Sequence, residues 1–210
     1  GEAYLRNDFL LVIRRIRERG MAATMTTGGL NFTQKRAEAM VEAGIVSVNV
    51  SIDGLAANHD RVRDKQGSWE RAFGALKHLR EAGSQIACNS QINKLNLYDH
   101  IEMVDKLAEA GVHSWQLQVT IPHGNACENL DIILQPYDYL EVFDELERVV
   151  ERAKQRRIRI WPGNNLGYFG PLEQAIRGVQ LRNGHYNGCK AGQSTIAIES
   201  DGSVSPLKGT

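Results

Sequence analysis

A helical stripe, a glycine and a short strand-like run follow one another four times along this chain, and that recurrence restricts the fold more than any other feature. The phrases are Glu18-Arg19-Gly20, Glu42-Ala43-Gly44, Glu81-Ala82-Gly83 and Glu109-Ala110-Gly111. Before each glycine, apolar residues keep the spacing of a buried helical face: Phe9, Ile13 and Ile16; Ala37, Met40 and Val41; Phe73, Leu76 and Leu79; Ile101, Val104 and Leu107. The glycine suits the left-handed residue that ends a helix. Thr33, Ser68 and Asn96 stand where N-caps are expected. Strands that alternate with helices of this length predict a parallel sheet with right-handed crossovers.

An open sheet with helices on both sides buries both faces of its strands, which then read as continuous apolar runs. These strands alternate instead. Val48, Val50 and Ile52 share one face, and Ser47, Asn49, Ser51 and Asp53 the other. Asn89, Gln91 and Asn93 oppose Cys88, Ser90 and Ile92; Gln116, Gln118 and Thr120 oppose Trp115, Leu117, Val119 and Ile121. A closed eight-stranded barrel fills its interior with branched apolar side chains. A polar inner face predicts an incomplete, wider barrel with a polar ligand across its strand ends.

Further along, a helix is expected from Pro136 to Arg156, with Leu140, Phe143, Leu146 and Val150 on one side. A short strand at Ile158 to Trp161 and a weak helix around Leu172 to Leu181 follow. Thr195 to Ile198, a turn at Asp201-Gly202 and then Ser203-Val204 read as a hairpin of a different architecture, with a domain boundary near Tyr186. The expected division is a partial barrel over 1–161, a connector over 162–188 and the beginning of a second domain over 189–210.

Composition narrows the function classes. Lys+Arg and Asp+Glu are equal at 25 each, so no basic excess points to nucleic acid. No apolar stretch is long enough to span a bilayer. Cys88, Cys127 and Cys189 are odd in number and widely spaced, which argues against a disulfide framework and for a cytoplasmic setting. Both ends read as cut, and Gly1-Glu2-Ala3-Tyr4 is neither a start nor a signal peptide.

In a parallel barrel, function gathers at the C-terminal strand ends. There lie Glu2, Thr26, Thr27, Gly28, Gly29, Ser51, Asp53, Asn89, Gln91, Asn93, Gln116, Gln118 and the loop Pro122-His123-Gly124-Asn125. The set is rich in hydrogen-bonding groups and poor in nucleophile–base pairs. It reads as a cradle for a ligand with ribose, base and amino-acid parts.

Several runs resemble motifs of the radical S-adenosylmethionine (radical SAM) family, in family order. Gly1-Glu2-Ala3-Tyr4-Leu5-Arg6 resembles the end of its Gly-Gly-Glu-Pro motif, and Thr26-Thr27-Gly28-Gly29 a strand-three segment. Val50-Ser51-Ile52-Asp53-Gly54, then His59-Asp60, Arg63 and Gly67-Ser68-Trp69-Glu70, is similar to a run of members with a SPASM domain. Cys189-Lys190-Ala191-Gly192 and Ile198-Glu199-Ser200-Asp201-Gly202-Ser203-Val204 resemble the start of that domain. The resemblance implies an α/β fold, a partial parallel (β/α)6 TIM-like barrel lacking its first strand, followed by the start of a SPASM/twitch hairpin region. It implies that Glu2 binds the amino group of S-adenosylmethionine and that Ser51 and Asp53 lie near its ribose. Thr26 and Thr27 join the cradle; Asn89, Gln91, Asn93, Gln118, Gly124 and Asn125 lie near ribose and adenine. Cys189 would be a ligand of an auxiliary iron–sulfur cluster. The parent protein would be a peptide maturase with a 4Fe–4S cluster.

The sequence departs from the family at two points. The CxxxCxxC loop that holds the catalytic cluster does not occur in it, so the chain alone is expected to be inactive. Leu207 stands where many relatives carry a cysteine. Plainer expectations stand beside these: Cys88 and Cys127 as structural thiols, Asp53 as the cap of a turn, and His59, His78, His100, His113 and His185 as surface or loop residues. The alternative function is a cluster-free barrel that binds peptide or nucleotide. A barrel lyase ranks last, since no strand-end lysine or phosphate loop is evident. Missing its first strand, the barrel is expected to expose an edge open to self-association.

Overall fold

A computed structural model describes residues 2–163, 166, 172–178, 191–199 and 201–205. Five parallel strands, β1 (Thr24–Thr27), β2 (Ser47–Ser51), β3 (Gln85–Ile92), β4 (Ser114–Val119) and β5 (Arg159–Pro162), form one sheet in sequence order. Helices α1 (Phe9–Glu18), α2 (Gln34–Glu42), α3 (Ala56–Val62), α4 (Ser68–Glu81), α5 (His100–Ala110) and α6 (Tyr139–Gln155) precede or connect them, and α7 (Glu173–Arg177) follows. A separate antiparallel pair, β6 (Ala197–Ile198) and β7 (Val204–Ser205), forms the expected hairpin. The repeat thus forms the predicted units, with Gly20, Gly44, Gly83 and Gly111 all at positive φ. The sheet is the partial barrel that the alternation implied, and no helix among the described residues is long and apolar enough to cross a membrane.

Register places the two faces as expected. Val50, Cys88, Trp115 and Ile160 align on the helix side, while Ser51, Asn89, Gln116 and Trp161 align on the polar side. Val48, Val50, Ile52, Cys88, Trp115, Leu117 and Val119 are buried under the helices. Ile121 leaves the buried face; it lies past the end of β4 and is 52% exposed.

Helix α3 is absent from the sequence reading. Its buried residues are His59 and Asp60, so no apolar stripe announces it. Asp60 also explains why Ser68 is not an N-cap. The Asp60 carboxylate accepts from Gly67 N (2.6 Å), Ser68 Oγ (2.8 Å) and Trp69 N (2.9 Å), capping α4 from another helix. Burial works against the charge, but these donors outweigh it and hold the Asp60 carboxyl below its ordinary value. Thr33 caps α2 as expected, through Arg36 N at 3.3 Å. Asn96 instead spends its side chain on Asn93 N, Asp53 O and Gln91 O, tying the ends of β2 and β3 together.

Three further expectations are corrected. In α6 Leu146 is buried and Phe143 and Val150 pack against the core as expected, but Leu140 is 75% exposed, and Val142, Val149 and Ala153 complete the buried face. Cys127 is exposed, unlike Cys88. His59 and His100 are buried rather than surface residues, while His113 is exposed and His185 lies outside the described residues. His100 stacks on Trp115 at 5.7 Å and pairs through Nδ1 with Leu97 O, and its Nε2 is buried without a partner.

Burial is the main cause that lowers both buried histidines below their ordinary 6.5, so each folds neutral. The unfolded chain then binds more protons below that value, and stability must fall as pH falls. The melting temperature is expected to be flat above pH 6.5 and to drop as the pH goes lower. In His100→Phe, which keeps an aromatic stack on Trp115 and removes the titrating ring, the drop should be smaller. An unchanged pH slope in a calorimetric series of the two proteins would remove His100 from this account.

Candidate functional site

Two cavities open at the C-terminal ends of β1 to β4. The first, of about 320 Å³, is lined by Glu2, Gly28, Ser51, His59 and Ser68 with the cations Arg63, Lys65 and Arg71. The second, of about 520 Å³, lies between the end of α3 and the segment 126–132, with Gln91 and Thr120 on its strand side. Arg63 lines both. Both fall in the size range of small-molecule sites.

Glu2 is held at the end of β1. Its Oε2 accepts from the Thr27 hydroxyl and its Oε1 from Gly28 N at 3.0 Å. Thr27 Oγ1 in turn accepts from Gly29 N at 2.9 Å. Close approach explains the glycines here. A Cβ on Gly28 would stand 3.2 Å from Glu2 Oε1, and one on Gly29 only 2.9 Å from Arg71 O. Beside them, burial, reinforced by Glu2 and opposed by the Thr27 hydrogen bond, pushes the Tyr4 hydroxyl up to about 12.

The loop after β2 centres on Asp53, which is 1% exposed. Its Oδ1 accepts from Gln91 N (2.9 Å), its Oδ2 meets Arg63 Nε at 2.6 Å, and its N–H donates to His59 Nδ1 (2.9 Å). One residue therefore joins β2, β3 and the end of α3. The next residue, Gly54, has φ +134, a conformation that a side chain would strain. Asp99 Oδ2 accepts from Leu55 N and Asn58 Nδ2, which seats the start of α3. The Arg63 guanidinium is thus held at Nε by Asp53, and its side chain lines both cavities.

The sequence-predicted residues divide by where the structure places them. Glu2 and Ser51 line the first cavity, and Gln91 lines the second. Asn89 receives the Ser51 hydroxyl at 3.0 Å, and Gln118 pairs with Gln91 across the polar face. Thr26 is exposed on that face, facing Asn49 in register. Thr27, Asp53 and Asn93 are buried and bonded within the protein; Asn93 is 0% exposed and accepts from Leu95 N. Gly124 opens a 3-10 turn at φ +59 that also includes Asn125, whose side chain lies outside the described residues. Cys189 lies outside them too. Lys65, Arg71 and His59 were not singled out as site residues from sequence. The spacing His59-Asp60 to Arg63 and the turn before Ser68 were the available signals.

The first cavity sets one carboxylate against three cations, a pattern that fits the ammonium and carboxylate of an amino-acid group. Iron does not fit the described residues in the same way. No group of three or more His, Cys, Asp or Glu among them could hold a metal, and Cys88 is sealed in the core.

Comparison with known proteins gives a consistent picture. Residues 1–95 match the model of the Radical SAM superfamily. The AdoMet-dependent heme synthase of Methanosarcina barkeri is 26% identical over 215 residues, covering 98% of this chain and 60% of that protein. The sporulation killing factor maturation protein SkfB of Bacillus subtilis is 30% identical over 102 residues, covering 49% of this chain and 25% of that protein. The crystal structure of Streptococcus suis SuiB bound to S-adenosylmethionine superposes with a TM-score of 0.75 at 18% identity, covering 99% of this chain and 48% of that one. The chain spans less than two thirds of each relative.

Proposed function

Residues 1–95 of this chain belong to the radical SAM superfamily, and from that premise we propose that the whole protein is a radical SAM enzyme in which this chain supplies the S-adenosylmethionine cradle. The carrying observation is Glu2, anchored by Thr27 and Gly28 and facing Arg63, Lys65 and Arg71 across the first cavity. Glu2 holds the ammonium group of the cofactor, and the cations receive its carboxylate. Ser51 and Asn89 meet the ribose, with Gln91 and Gln118 beyond them. Asp53 and Asn93 act as positioning residues, since their polar atoms are spent on the protein itself. Gly124 and Asn125 close the adenine side, and Thr26 faces the inner polar surface.

The residues of the first cavity would hold S-adenosylmethionine, and the chemistry it would supply, given an electron from a reduced iron–sulfur cluster, is abstraction of a hydrogen atom from substrate. The ligands of that cluster are not in this sequence, which has no CxxxCxxC, and they belong to the remainder of the protein in this reading. Cys189 is assigned to an auxiliary cluster of a SPASM domain beginning there. We take the substrate to be a ribosomally made peptide, in the cytoplasm. Support comes from relatives named for peptide maturation, SkfB and the PqqA peptide cyclases; the heme synthases make a tetrapyrrole substrate the competing reading.

Titration calorimetry tests the cradle. S-adenosylhomocysteine should bind the chain, and 5′-methylthioadenosine, which lacks the amino-acid group, should bind at least about tenfold more weakly. Glu2→Gln should remove most of that difference. Equal affinity for the two compounds, or no binding of either, would overturn the assignment.

A further inference from the structure

We infer that His59 is a ligand-contacting residue of the first cavity, which presents a fixed Nε2–H donor to a carboxylate oxygen; this deepens the S-adenosylmethionine reading and rests on it. The imidazole is 1% exposed and lines the cavity beside Arg63 and Ser51. Its Nδ1 accepts the Asp53 N–H at 2.9 Å. A backbone amide can only donate, so a neutral ring must carry its proton on Nε2. Nε2 has no partner among the described residues, and it is not one of the sealed, unsatisfied atoms of the core. A polar atom left open on a buried ring that lines a cavity points to a ligand acceptor.

The setting defines the acceptor. Arg63, Lys65 and Arg71 line the same cavity, so the potential near the ring favours an anionic oxygen. Because Asp53 fixes Arg63 through its side chain and His59 through its backbone, both donors hang on one residue and move together. His59 then selects for an acceptor over a donor. An ammonium at the Nε2–H would set donor against donor.

Two substitutions separate the roles of the two ring nitrogens. Asparagine places an oxygen where Nδ1 stands, and glutamine places an amide nitrogen near Nε2. His59→Asn is expected to keep the melting temperature and to weaken S-adenosylhomocysteine about tenfold. It should leave 5′-methylthioadenosine unchanged. His59→Gln should lower stability yet retain more of the discrimination between the two compounds. Nitrogen-15 NMR of the ring supplies a readout independent of the cofactor: Nε2 should be the protonated nitrogen, and sodium acetate should shift its signal. If wild-type protein binds no S-adenosylhomocysteine while acetate still shifts Nε2, the cofactor reading fails and the His59 donor stands. Protonation at Nδ1, no response to acetate, or an equal effect of His59→Asn on both nucleosides would overturn the inference.

Discussion

Asp53→Ala is expected to lose about 3 kcal/mol of unfolding free energy. The substitution leaves the Gln91 N–H unsatisfied at the joint between β2 and β3, and frees Arg63 from its carboxylate. Both partners lose their acceptor at once, while Asp53 itself is 1% exposed, so water cannot replace it in place. Arg63 has a side chain 37% exposed and can recover part of its solvation, which keeps the loss below that of a fully buried pair. Asp53→Asn should cost less, since an amide oxygen can still accept from Gln91 N. Urea unfolding of the three proteins decides the matter. A loss under about 1 kcal/mol for the alanine variant would mean that the joint is held by Asn96 instead.

Gly29→Ala should destabilise by about 2–4 kcal/mol, through a different route. Gly29 has φ +85, and a Cβ there would lie 2.9 Å from Arg71 O and 3.1 Å from Ala72 Cα. Both obstacles are backbone of α4, so relief requires the helix to move away from β1. Arg71 lines the first cavity and rides on that helix, so ligand affinity should fall along with stability. Gly74→Ala serves as the control on the same helix: a Cβ there meets nothing within 4 Å, and alanine favours the helix. If both variants melt alike, close packing of the β1–α4 connection does not constrain the site.

The barrel was legible because its signals are local. A helical stripe and a glycine stop each lie within a dozen residues, and strand alternation shows directly which side chains share a face. Those signals gave the parallel order of β1 to β5, the buried face of Val48, Val50 and Ile52, and the hairpin after Thr195. The same reading failed where burial is polar. Helix α3 buries His59 and Asp60, and periodicity counts only apolar residues. Caps failed for a related reason: Asp60 reaches α4 from another helix, which no inspection of the Gly67-Ser68 sequence can reveal.

For the site, residue type and position along a strand sufficed to nominate Glu2, Ser51 and Gln91, since the C-terminal strand ends of a parallel barrel face one side. Sequence alone could not divide the polar residues into those that face a ligand and those that hold the frame. Asp53 and Ser51 read alike, two residues apart on one face, yet one is tied to Gln91 and Arg63 while the other lines a cavity. That division depends on hydrogen-bond partners 38 residues away in the chain. The sequence by itself determined the repeat, the sheet and its polar face, because those follow from neighbours in the chain. Only the tertiary structure decided that Arg63, Lys65, Arg71 and His59 meet Glu2 around one cavity, because long-range packing, not periodicity, brings those charges together.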